Sequence, residues 1–69
     1  MDKKKEEKIK DKIEDLNSTR AMIKESIEDL KKRKKEMKSE KYEKLMQKYE
    51  KKLDKVREKI KRLEEMLKE

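Results

Sequence analysis

Residues 42–67 read YEKLMQKYEKKLDKVREKIKRLEEML, with apolar side chains at Tyr42, Met46, Tyr49, Leu53, Val56, Ile60, Leu63 and Leu67. The steps between these positions alternate four and three without a miss. A helix of about 3.6 residues per turn carries such positions up one narrow side. A stripe confined to two positions in each heptad is a coiled-coil seam rather than the broader face of a globular-domain helix. In heptad lettering Tyr42 stands at d and Met46 at a.

Toward the N-terminus the same cadence returns at Ile9, Ile13, Leu16, Ile23, Ile27, Leu30 and Met37, with Arg20 and Lys34 at the two a positions that interrupt it. The two seams together hold fifteen apolar residues in seventeen positions, where a random draw at the chain's 29% hydrophobic content would give about five. That count decides against disorder, which the 62% charged content and net charge of +7 would otherwise favour. The chain also has neither Gly nor Pro, the residues that loops and disordered segments use most, and is built mainly from good helix formers.

The two seams are out of register, because the step from Met37 to Tyr42 is five. A break is therefore expected over Lys38–Lys41, with Ser39 as N-cap of a second helix. The expected architecture is one all-α unit over residues 1–69: a two-helix antiparallel coiled-coil hairpin with helices 3–36 and 40–68 and a turn at 37–39. One long helix in an intermolecular coiled-coil dimer is the alternative.

Folding the chain about residue 38 sets residue i opposite residue 76 − i and gives the layers Ile9/Leu67, Ile13/Leu63, Leu16/Ile60, Arg20/Val56, Ile23/Leu53, Ile27/Tyr49, Leu30/Met46 and Lys34/Tyr42. The flanking e positions then bring Lys10 to Glu64, Asn17 to Arg57, Lys24 to Glu50 and Lys31 to Glu43, three opposite charges and no clash. A parallel in-register dimer would set Arg33 against Lys38 and Lys52 against Arg57. Flanking charges select orientation in such pairs, and here they favour the hairpin.

Composition narrows the chemistry. Without His or Cys the chain lacks the commonest general base, the commonest metal ligand and any thiol. Neighbouring acids such as Glu64 and Glu65 do not share a helix face, and a two-helix rod has no pocket to raise a carboxyl pKa. The expectation is a protein that is not an enzyme, with no catalytic, cofactor or metal site and no small-molecule substrate. The longest apolar run, Ala21-Met22-Ile23, is far short of a membrane span or a signal-peptide core, so a soluble, cytoplasmic chain is expected. Asn17-Ser18-Thr19 matches a glycosylation sequon but lies inside an unbroken seam, and reads as polar outer face.

Charge is uneven along the chain. Residues 31–52 hold eleven Lys and Arg against four acids, so the whole +7 lies in what would be the tip half of a hairpin. Lys31, Lys32, Arg33, Lys35, Lys38, Lys41, Lys44 and Lys48 are the candidate polyanion-binding residues. A solvated charge run that complements the negative C-terminal end of helix one accounts for the same residues. Tyr42 and Tyr49, the only aromatics, could stack on unpaired bases, but both occupy seam d positions. Lys outnumbers Arg 21 to 4, which suits diffuse phosphate contacts rather than base reading. Arg20, mid-helix in the seam, is the candidate specificity residue, since a polar a position can fix register or partner.

Three functions fit these observations. The first is a structural or protein-interaction coiled-coil module, self-associating as a homo-oligomer or docking on a partner. Leu45, Met66 and Met22 lie outside the seam as apolar residues for such a partner to cover. The second is a weak, sequence-nonspecific nucleic-acid binder working through the basic tip. The third is a designed or excised coiled-coil segment without independent function.

Overall fold

The computed structural model describes residues 2–68, in which α1 (Lys3–Lys32) and α2 (Ser39–Lys68), 30 residues each, pack against one another along their length. A 30-residue helix is about 45 Å long, and the molecule measures 52 × 14 × 11 Å. The helices therefore lie side by side as an antiparallel hairpin and not end to end. The radius of gyration, 15.9 Å, exceeds the roughly 11 Å of a compact domain of this length, as a rod requires.

Asp2 starts α1. Its Oδ1 accepts the backbone N–H of Lys5 at 2.9 Å, satisfying one of the donors that the first turn leaves open. At the other end α1 stops at Lys32, four residues short of the expected Glu36. Arg33 sits at φ −92°, ψ 2°, and Lys34–Glu36 tighten into a single 3-10 turn whose N–H groups reach back three residues: Glu36 to Arg33 O at 2.9 Å and Met37 to Lys34 O at 3.4 Å. The tightening satisfies end carbonyls within a run of five consecutive cations whose mutual repulsion disfavours another α-helical turn.

Met37 is extended (φ −113°, ψ 152°), and no described residue has positive φ, so the chain reverses without the left-handed residue that glycine usually supplies. Ser39 is the first helical residue of α2 and not its cap. The Lys38 carbonyl accepts the Tyr42 N–H at 3.0 Å, which puts Lys38 in the cap position.

All fifteen apolar seam residues are buried or half-buried. The most covered are Ile9, Leu30, Leu53, Val56 and Ile60, between 5% and 8% exposed. Met37 joins this core from the connection rather than from α1. The facing of residue i with 76 − i holds at the tip, where the Lys34 ammonium lies 5.5 Å from the Tyr42 ring centroid. Farther along, grooves are shared by Leu30 with Leu45 and Tyr49, Leu16 with Leu63, and Ile9 with Met66. No helix among the described residues is long and apolar enough to cross a membrane.

Candidate interaction surfaces

In an antiparallel pair the seam is bordered on one flank by the e positions of both helices and on the other by their g positions. The e flank carries Lys10, Asn17, Lys24 and Lys31 from α1 and Glu43, Glu50, Arg57 and Glu64 from α2. The ion pairs expected across it do not form. The Lys10 ammonium turns to Glu6 of its own helix at 3.1 Å, and that of Lys31 to Glu28 at 3.7 Å. Both pairs lie within α1, Glu6 with the lysine four residues on and Glu28 with the lysine three residues on. No other ion pair occurs among the described residues. A partner three or four residues away on the same helix is fixed in place by the backbone, whereas reaching the other helix costs more side-chain freedom.

Both flanks have open stretches: on the e side a groove exposes Ile13 and Leu67 beside Lys10, and others lie on the g flank. On α1 the central g positions hold Thr19 and Ser26, short side chains whose hydroxyls donate to their own helix, Thr19 Oγ1 to Asp15 O and Ser26 Oγ to Met22 O, both at 3.1 Å. One shallow groove exposes Leu16 and Leu63 between Lys12 and Lys59, and another places Leu45 and Tyr49 against Leu30 and Met37. Met22 and Met66, 67% and 45% exposed, and the half-buried Leu45 border this flank.

The candidate polyanion residues Lys31, Lys32, Arg33, Lys35, Lys38, Lys41, Lys44 and Lys48 are all exposed. The fold does not gather them on one surface. Arg33 and Lys41 line a groove on the g flank, whereas Lys35 lines one with Lys34, Ser39, Tyr42 and Glu43 on the other. Heptad position sends Lys32 and Lys44 to the outer backs of their helices. Tyr42 and Tyr49 are half-buried in the seam, and the Lys34 ammonium lies over the Tyr42 ring as a cation–π contact. Lys34, exposed, thus lays its charge on the aromatic that faces it. Arg20 is half-buried with no ion-pair partner among the described residues. Asn17, Ser18 and Thr19 sit in unbroken helix. No cluster of carboxylates among the described residues could hold a metal ion. Comparison with protein-family models, curated proteins and solved structures gives no match.

Proposed function

We propose that this hairpin is a non-catalytic protein-interaction module that associates with further copies of itself through the g flank of α2. The observation that carries the reading is the exposure of Met66, with the half-buried Leu45 beside the seam on the same flank. Surface area supports it. The chain exposes 6332 Å², against about 4,700 Å² for a compact monomer of 8.6 kDa. Short rods that bury this little recover stability by covering apolar edges with another chain.

Sedimentation equilibrium tests the proposal. The wild-type mass should rise above 8.6 kDa with concentration, and Leu45→Gln/Met66→Gln should move it back toward that value. A mass of 8.6 kDa at every concentration and salt would refute the reading. Co-sedimentation with mixed oligonucleotides that is lost steeply with salt would replace it with the polyanion reading.

A further inference from the structure

The charges on the two helices are segregated in a way that the hairpin does not use. On α2 the c and g positions carry Lys41, Lys48, Lys52, Lys55, Lys59 and Arg62, with Leu45 and Met66 completing the same alternation of four and three. No acid interrupts this row; all seven acids of α2 fall at b, e or f positions. On α1 the b and f positions from Glu7 to Glu28 carry Glu7, Asp11, Glu14, Glu25 and Glu28, with the small Ser18 and Ala21 between them; Lys4 and Lys32, at the next f position beyond each end, bound the acidic row. Each charged row runs 21 residues from end to end, about 31 Å along its helix. The two rows match in length and cadence and are opposite in sign.

They cannot meet within one chain. Heptad geometry puts the acidic row toward the back of α1, where Glu7, Asp11 and Glu14 border a groove with Ile13 and Leu67 on the e side, and the basic row on the opposite, g flank of α2. Every residue of both rows is exposed except Leu45, which is half-buried. Among the described residues none of the six cations takes part in an ion pair, and of the five acids only Glu28 does.

Building on the self-association reading, we infer that the occupant of the basic row is the acidic back of α1 from a second copy. In either helix orientation Ser18 falls at Lys52, four of the five acids meet a cation, and the fifth meets Leu45 (Glu25 antiparallel, Asp11 parallel). Ser18 and Ala21 let the incoming backbone lie close on the lysine stems. Docking through two g flanks instead would set one basic row against another. The net charge of +7 does not forbid the contact, because charges beyond about 8 Å are largely screened at physiological salt while touching rows are not. Since the two rows lie on different sides of the hairpin, the contact is heterologous. It leaves a free row at each end, so copies add head to tail beyond the dimer, into a ring if the rotation closes and an open series if it does not.

The test uses two full-length double variants, Lys48→Glu/Lys55→Glu and Glu14→Lys/Glu25→Lys, with circular dichroism to establish that each is helical. In sedimentation at moderate salt the wild type should show a mass that climbs past that of a dimer, and its association constant should fall tenfold or more at molar salt. Each variant alone should remain at 8.6 kDa, and their equimolar mixture should associate again, because each supplies the row the other lacks. Variants that associate like the wild type, or a closed dimer unaffected by them, would overturn the row assignment while leaving self-association standing. So would a mixture of folded variants that stays monomeric. A wild type that never associates removes both readings. If it then binds a mixed oligonucleotide, and Lys48→Glu/Lys55→Glu abolishes that binding, the basic row belongs to nucleic acid.

Discussion

Arg20→Ile should stabilise the hairpin, and the amount can be worked from the environment of the site. Arg20 holds an a position in the middle of α1, half-buried, in the layer whose α2 member, Val56, is 8% exposed. Its guanidinium has no ion-pair partner among the described residues, so ordering the side chain is not offset by a charge contact. Isoleucine covered at that position contributes roughly 1.5–3 kcal/mol relative to an exposed one, and the arginine stem already supplies about one or two buried methylenes at ~0.8 kcal/mol each. Isoleucine is the weaker helix former by a few tenths of a kcal/mol.

The balance is about 1 kcal/mol in favour of the variant, and in a domain this small 1 kcal/mol moves Tm by about 4–8 °C. Far-UV circular dichroism melts at several protein concentrations would measure it, the series being needed because association makes Tm depend on concentration. An unchanged or lower Tm would refute the reasoning, since Arg20 would then make contacts worth more than an apolar side chain in the seam. If Arg20 also fixes register, the variant should sediment as a broader set of oligomers.

Ile60, the most covered side chain at 5% exposure, should lose about 2–4 kcal/mol on replacement by Ala and about 1 kcal/mol on replacement by Val. Chemical denaturation should therefore find the Ala variant largely unfolded and the Val variant folded. Asp2→Ala removes the bond to the Lys5 N–H and should cost about 0.5–1 kcal/mol, seen as faster amide exchange in the first turn of α1. Cysteines replacing Asn17 and Arg57, which share the e flank, should cross-link within one chain at low concentration; products only between chains would contradict the antiparallel pairing. Replacing Lys31, Lys32, Lys35 and Lys38 with Gln should leave self-association intact, because these residues lie outside the basic row of α2. If oligonucleotide binding is found and its log K against log salt slope flattens by about 0.7–0.9 per lost lysine, the tip is the polyanion site instead.

The hairpin was legible in the seam because burial of a periodic stripe is a local consequence of spacing: every apolar seam residue is at least half-buried. The five-residue step at Met37–Tyr42 signalled a reversal but placed the break at Lys38–Lys41, whereas the connection runs over residues 33–38 and Ser39 to Lys41 are already helical. The details of the turn were not legible. Where α1 yields to a 3-10 turn depends on carbonyl satisfaction under crowded like charge, and no Gly or Pro marks the point. Ser39 looked like a cap by residue type, but the backbone enters α2 one residue earlier. The cross-helix ion pairs failed because pairing rules give proximity of positions, while Lys10 and Lys31 have partners already placed on their own helix. The candidate site was read as a segment, residues 31–52, because charge was summed along the chain. Only the arrangement of helix faces separates the tip cations from one another and joins Lys41 and Lys48 to Lys52, Lys55, Lys59 and Arg62.

The position of the reversal also bears on the order of folding, which loop closure favours from the tip outward. Lys34 and Tyr42, in contact at the tip, are eight residues apart in the chain, whereas Ile9 and Met66, which share a groove at the open end, are 57 apart. Loop-closure entropy grows with the logarithm of that separation, and the difference between the two is about 1.7 kcal/mol. If the open end met first it would bear the full closure cost alone, but each layer formed from the tip leaves the next only a few residues to bring together. The hairpin should therefore behave as a zipper with its slider at residues 33–38, closing outward from the basic tip and opening first around Ile9 and Met66, where amide exchange should be faster than beside the tip.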